Sequence, residues 1–161
     1  MRHIEIQNEQ AYAVNAEQLQ RAIQLVIDRH DIAADSGVTA VLTTNESVQA
    51  LNLQHRQVDA PTDVLSFTSD PLPPELLDDE APYLGDLVIA YLYARSQAER
   101  LNHSIADSLC LLVIHGTLHL LGYTHDTAEN RADMWAEQAA ALSALGISDA
   151  IVPALEESDH A

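Results

Sequence analysis

The chain has 161 residues, 47% of them hydrophobic, and its formal net charge is −18 because 25 acidic residues face only seven arginines. The length favours one globular domain, and the single cysteine, Cys110, excludes an internal disulfide and suits a reducing compartment. A charged N-terminus and the lack of a long apolar run exclude a signal peptide and a membrane span, so we expect a cytoplasmic protein.

Hydrophobic periodicity and capping residues predict four strands and about five helices. The predicted order is a strand at 3–8, a helix after Asn15, a strand at 38–43, a short helix at 46–55, and strands at 63–67 and 84–90. A helix at 91–101, a mostly apolar helix from Ser104 to about 121 and a last helix at 127–145 follow. The sequence therefore predicts an α+β (α/β-like) fold: one domain over 1–147, with a small four-stranded mixed sheet covered by helices.

Two segments are predicted to be irregular. Residues 68–82 contain four prolines and five acidic residues, which favours a solvated surface connection or, alternatively, a flap beside a functional site. Residues 148–161 form an acidic C-terminal tail that we expect to be loosely ordered.

The apolar helix carries the residues with the clearest chemical pattern. Ser104 is a predicted N-cap, and the run 109–114 is wholly apolar, so this helix is expected to be buried at the centre of the domain. His115 and His119 stand four residues apart, which places both rings on one helix face. Gly122 is the expected C-terminal stop, and His125 follows in a short link that can fold back toward the other two histidines.

Three converging imidazoles favour a metal site, although a histidine pair at this spacing is also compatible with a structural role. Burying three neutral rings without partners is costly, whereas one divalent cation satisfies all of them. Three nitrogen ligands leave a fourth position open for water or substrate; zinc is the first candidate, and nickel or copper would also fit. Gly116 stands where zinc peptidases of the H-E-x-x-H type carry their glutamate, which argues against that class.

The last helix is predicted to begin with Asp126 as its N-cap, paired with Glu129. Its expected buried stripe is the set Ala128, Ala132, Trp135, Ala139 and Leu142.

The segment H-G-T-L-H-L-L-G-Y-T-H at 115–125 resembles the signature of the YbeY family of bacterial metal-dependent endoribonucleases. Two further blocks are similar to that family: Leu51-Asn52 with Arg56 and D-A-P-T-D-V-L-S-F at 59–67, and L-G-D-L-V-I at 84–89. The resemblance implies a zinc-dependent endoribonuclease specific for single-stranded RNA, with no DNA substrate. It also implies a role in rRNA processing, including maturation of the 16S rRNA 3′ end, in ribosome quality control, and contact with the ribosome or its subunits.

The resemblance also implies roles for individual residues. His115, His119 and His125 correspond to the metal ligands, and Arg56 to a functional arginine that would bind the scissile phosphate. Asp86 is a candidate for orienting a ligand, or for a local turn contact. Thr124 stands where the family usually has Asp before the third histidine, so it and Asp126 are further candidates for contacts around the ligands.

Two other functions remain open from the sequence. One is a metal hydrolase acting on a peptide or a small ester, which the acidic composition favours, since nucleic-acid binders normally present a basic face. The other is a non-catalytic ribosome-assembly factor in which the metal only stabilises the fold.

Overall fold

A computed structural model describes residues 3–69 and 83–148, and these contain four strands and five helices. The elements in chain order are β1 (Ile4–Gln7), α1 (Ala16–Asp28), β2 (Gly37–Thr43), α2 (Asn45–Arg56), β3 (Val64–Thr68), β4 (Tyr83–Ala90), α3 (Tyr91–Arg100), α4 (Ile105–Leu120) and α5 (Ala128–Ala144). The predicted fold class is confirmed. The predicted loop at 68–82 and the predicted tail fall almost wholly outside the described residues.

The sheet is mixed and has the strand order β1-β2-β4-β3. Strands β1, β2 and β4 are parallel to one another, whereas β3 pairs with β4 in the antiparallel direction. Because successive strand residues point to opposite faces, β4 contributes Leu87 and Ile89 to the larger core and Val88 and Ala90 to a smaller one.

Helix α4 lies in the larger core. Its residues from Ser108 to Leu118 are all buried, which confirms the expected central position. Its N-cap is Ser104, whose hydroxyl accepts a hydrogen bond from the Asp107 backbone N–H, as predicted. The smaller core lies under α2 and contains Val48 of that helix.

Two predicted details of the helix termini and faces are wrong, the second of them in part. The N-cap of α5 is Thr127, whose side chain accepts from the Asn130 N–H, and Asp126 lies one residue outside it. The predicted buried stripe of α5 is correct at Leu142 and wrong at Ala128 and Ala132, which are exposed, while Trp135 and Ala139 are partly buried. The buried residues of the helix are Met134, Gln138, Ala141 and Leu142.

No helix in the described parts of the chain is long and apolar enough to cross a membrane.

Candidate metal centre

The C-terminal half of α4 brings the first two histidines together. His115 is fully buried and His119 partly so, and their Nε2 atoms lie 3.1 Å apart. The two rings are nearly perpendicular, at 89°, so the two nitrogens converge on one point.

A tight turn after α4 brings the third histidine to the same point. Gly122 has φ +101°, a conformation that L side chains rarely adopt, and its N–H donates to the His119 carbonyl at 3.0 Å. The next N–H, of Tyr123, donates to the Leu118 carbonyl at 3.0 Å, which completes a Schellman motif. The chain is thereby reversed, and the His125 ring lies 5.0 Å from that of His119. One possible ligand atom from each of the three histidines lies within 4.8 Å of the others, so the predicted cluster forms.

Hydrogen bonds on the outer side of the rings fix which nitrogen faces the centre. His119 Nδ1–H donates to the Tyr123 carbonyl at 2.9 Å, and His115 Nδ1–H donates to Gln138 Oε1 at 2.5 Å. With Nδ1 protonated in both rings, each Nε2 carries a lone pair directed at the other. Two lone pairs 3.1 Å apart repel, and a cation between them removes that conflict. The geometry therefore fits a metal ion bound through Nε2 atoms.

The electrostatic environment keeps the imidazoles of His119 and His125 neutral, which is the form that binds metal. Burial lowers the pKa of His119 to about 4, and the charge of His125 adds to this, against the opposing effect of the Tyr123 carbonyl. Burial also lowers the pKa of His125, and the positive charges of Arg131 and Arg56 lower it further. Neutral nitrogen donors suit zinc and similar borderline divalent cations.

Packing explains why glycine stands between the two histidines of α4. A Cβ atom at Gly116 would lie 2.7 Å from Leu87 Cδ2 and 3.2 Å from Ser66 Oγ, on the neighbouring strands. This helix face touches the sheet so closely that no glutamate fits there. The general base of the H-E-x-x-H peptidases therefore has no counterpart at this position.

An open groove of about 210 Å³ lies beside the cluster. Its lining consists of His119, the backbone turn at Gly122 and Tyr123, and three hydroxyl side chains: Ser66, Thr68 and Thr124. No carboxylate from the described residues lines it.

Arg56 is the last residue of α2, and its side chain is held by a buried neighbour. Its Nη1 donates to Asn52 Oδ1 at 3.1 Å, while Asn52 Nδ2 donates to the Ala60 carbonyl at 2.9 Å. Asn52 thus fixes both the arginine and the following loop. Since the Arg56 charge contributes to the lowered pKa of His125, the guanidinium lies within electrostatic reach of the cluster.

The other predicted residues occupy different positions. Thr124 Oγ1 donates to Asp126 Oδ1 at 2.8 Å, and Asn130 donates to the same oxygen at 2.9 Å, so that the pKa of Asp126 is lowered. Asp126 acts on His125 through its negative charge. Asp86 accepts a hydrogen bond from the Tyr83 hydroxyl and points to the face of β4 opposite to Leu87, the residue that packs against α4. The structure therefore does not bring Asp86 to the histidines.

The sequence patterns did not predict that three residues of α5 lie at the cluster. They are Arg131, Gln138 and Trp135, of which Trp135 was predicted only as a buried residue of the helix. Gln138 is fully buried and is the acceptor for His115. The Trp135 ring lies 5.8 Å from both His115 and His125, centroid to centroid. A signal for Gln138 was present, because Met134, Gln138, Ala141 and Leu142 follow helical spacing with one polar member.

The fold and the site define a class: a small α+β protein whose central helix ends in a three-histidine cluster able to bind a metal, beside an open groove. The family model described as Endoribonuclease YbeY matches residues 4–146. The chain therefore belongs to the Endoribonuclease YbeY family.

Individual relatives agree with this assignment. The Endoribonuclease YbeY of Moorella thermoacetica is 40% identical over 154 residues, covering 88% of this chain and 96% of its own length. The protein of the same name from Bacillus subtilis is 34% identical, over 81% of this chain and 85% of its own. Among solved structures, TM1509 from Thermotoga maritima matches with a TM-score of 0.56 and 26% identity, over 88% of this chain and 91% of that one.

Proposed function

We propose that this chain is a zinc-dependent endoribonuclease that cleaves single-stranded RNA, with precursor rRNA in the ribosome or its subunits as the substrate. Membership of the Endoribonuclease YbeY family supports the reaction class. The observation that carries the proposal is the convergence of three imidazoles beside a hydroxyl-lined groove, with an arginine in electrostatic reach. Maturation of the 16S rRNA 3′ end is the processing step that the family resemblance implies, and such a substrate implies a cytoplasmic protein.

Each group of the site has a role in this reaction. His115, His119 and His125 would hold the ion, which would supply Lewis-acid polarisation of a phosphoryl oxygen. Arg56 binds the scissile phosphate through two parallel N–H···O bonds and stabilises the charge that develops on it. Asn52 keeps the Arg56 side chain in place, so that less conformational freedom is lost when the phosphate binds.

The groove accounts for a preference for RNA in an unpaired form. Ser66, Thr68 and Thr124 offer hydroxyls that can hydrogen-bond to ribose or phosphate oxygens without adding charge. Bases of a single strand can turn away from such a groove, whereas a duplex presents its backbone in a fixed helical form. The described lining contains no carboxylate, so the nucleophile, either water or the 2′-hydroxyl of the RNA itself, loses its proton to solvent.

Two rival functions receive less support. A peptidase or esterase of the H-E-x-x-H type needs a glutamate base for which Gly116 leaves no space. A non-catalytic assembly factor with a structural metal would have no use for an arginine that is held in place near an open ligand position.

The test is cleavage of a fluorescently labelled RNA, offered as a single strand and as the matching duplex, by the zinc-loaded protein. We expect cleavage of the single strand, loss of activity with a chelator and recovery when zinc is added back. Arg56→Ala should lower the rate by on the order of a hundredfold, and Arg56→Lys should recover little, because a point charge cannot form the two-bond contact.

Arg95→Ala is the matched control, because it removes the same charge from α3, beside Ile105 at the other end of α4. It should cleave at the parental rate. RNA that stays intact with the zinc-loaded parent would refute the proposed reaction. Parental activity in Arg56→Ala would assign phosphate binding to another residue.

A further inference from the structure

A second arginine lies near the cluster, on the α5 side. The Arg131 guanidinium carbon is 4.7 Å from the centroid of the Trp135 ring, which lies one helical turn further along α5. This is a cation–π stack, and it holds the guanidinium plane against the indole. Stacking uses the face of the guanidinium, whereas the N–H donors that bind phosphate lie in its plane.

Trp135 connects this arginine to the metal ligands. Its ring meets His115 and His125 edge to face, each at a centroid distance of 5.8 Å. Arg131 is thus separated from two of the three ligands by a single aromatic ring. Its charge also lowers the pKa of His125, with a larger effect than that of Arg56.

Two other arginines, Arg29 and Arg95, form ion pairs with carboxylates. Arg29 contacts Glu137 at 3.1 Å, and Arg95 contacts Glu99 at 3.3 Å. In a chain with a formal charge of −18, Arg131 and Arg56 place two positive charges within electrostatic reach of His125, opposed there by the negative charge of Asp126.

We infer that the Arg131–Trp135 stack is a second phosphate-binding point, which binds a backbone phosphate of single-stranded RNA other than the one held by Arg56. This inference rests on the proposed function and extends it. One contact at the scissile phosphate and a second at another backbone phosphate fix the strand's path across the cluster, which one contact cannot do. The stack fixes the orientation of Arg131 before RNA arrives, as Asn52 does for Arg56.

The experiment measures binding instead of cleavage, with protein loaded with zinc and a short single-stranded RNA that carries non-hydrolysable phosphorothioate or 2′-O-methyl linkages. Trp135 is the only tryptophan of the chain, so its fluorescence reports binding directly. Affinity is measured by this signal, and by anisotropy of a dye-labelled RNA, over a series of salt concentrations. Each phosphate neutralised on a single strand contributes about 0.7 to the slope of log affinity against log salt.

The wild type should therefore show a slope of about 1.4, from two phosphates at about 0.7 each. Arg131→Gln should halve the slope and weaken binding about tenfold at low salt, the ratio expected on losing one charge-assisted contact. Arg131→Lys should keep the slope, because the charge remains, but bind more weakly than the wild type, because the stacked plane is lost. Arg95→Gln, a control with the same change in net charge, should bind like the wild type.

The outcomes separate this inference from the proposed function. A wild type that neither binds nor cleaves RNA refutes both. A wild type that binds and cleaves, with Arg131→Gln giving an unchanged slope and affinity, refutes only the second phosphate contact. An equal loss in Arg95→Gln and Arg131→Gln would also refute it, since net charge would then explain the effect.

Discussion

The hydrogen bond between His115 and Gln138 gives the sharpest test of the metal centre. Gln138 is fully buried, and its Oε1 accepts from His115 Nδ1–H at 2.5 Å, which directs Nε2 of the same ring toward the cluster. Gln138→Leu keeps a side chain of similar size and removes the acceptor together with Nε2, a buried atom that has no hydrogen-bond partner among the described residues. We expect two separate losses, one in stability without metal and one in metal affinity.

The magnitudes follow from what the acceptor does. A buried N–H that loses its acceptor costs about 1–3 kcal/mol, so the metal-free variant should unfold more easily by that amount. Removal of a group that orients a ligand lowers metal affinity by about 10–100-fold. At a zinc concentration of about 100 times the parental Kd, the wild type gains about 2.7 kcal/mol from binding, and the variant only about 0.4–1.4 kcal/mol.

The assay combines zinc competition with a chromophoric chelator and thermal unfolding with and without zinc. Gln97→Leu is the matched control, because Gln97 is also a buried helical glutamine but lies on α3. We expect it to lose stability while its zinc affinity stays at the parental value. Gln138→Glu should bind zinc at least as tightly as the parent, since a carboxylate acceptor makes the ring more basic.

A zinc affinity of Gln138→Leu within twofold of the parent would refute the reasoning. So would a loss in Gln97→Leu equal to that in Gln138→Leu, because general destabilisation would then explain both.

Four further predictions test other parts of the structure. Elemental analysis should find about one zinc per chain in the wild type and less than a tenth of that in His119→Ala; equal contents would exclude this ligand set. Gly122→Ala should lower the free energy of unfolding of the metal-free protein by about 1–2 kcal/mol, because φ is +101° while no heavy atom lies within 4 Å of the new Cβ. Chemical denaturation measures this, and an unchanged midpoint would contradict the strained turn. Gly116→Ala should lower the free energy of unfolding by about 1–3 kcal/mol, because the new methyl group contacts Leu87. The higher helix propensity of alanine offsets about 1 kcal/mol of this loss. A second change, Leu87→Val, should recover part of the remaining loss. A stabilised Gly116→Ala protein would show that the helix does not touch the sheet so closely. Burial raises the pKa of the Cys110 thiol from 9.0 to about 11. Since the folded pKa lies above the unfolded one, the wild type should lose stability relative to Cys110→Ala as pH rises from 9 to 11, by about 3 kcal/mol at most. Parallel pH curves for the two proteins would contradict this.

The fold could be predicted from the sequence because its signals are local. Ser104, Asn15 and the apolar run at 109–114 determine where helices begin and which helix is buried, and the structure agrees at each of them. The N-cap of α5 was misplaced by one residue because Asp126 and Thr127 are both good capping residues. Only the three-dimensional arrangement shows that Asp126 is engaged by Thr124 and Asn130 instead.

Of the residues at the site, the sequence could predict the three histidines but not the residues of α5 that contact them. The spacing of His115, His119 and Gly122 determines where the three imidazoles lie relative to one another. This is possible because a helix and a Schellman turn are both formed by residues close in sequence. Gln138 and Arg131 are brought to the cluster by the packing of α5 against α4, which depends on which face of α5 is buried. That face was assigned correctly only in part, at Leu142, because the many alanines of α5 make several stripes look similarly apolar.

The charge of the chain now has a consistent interpretation. Two phosphate contacts predict that RNA affinity falls only about sevenfold between 50 and 200 mM salt, whereas a protein with 6–10 contacts on duplex DNA loses about 10³–10⁵-fold. Under the proposal, the net negative charge repels nucleic acid, and Arg56, Arg131 and a cation held by the three histidines would supply local attraction. Such a protein binds free RNA weakly and does not act on every strand that it meets. Under this proposal a free single strand is cleaved slowly because it binds weakly, and cleavage is faster where a structured ribonucleoprotein substrate holds a single-stranded segment at the groove.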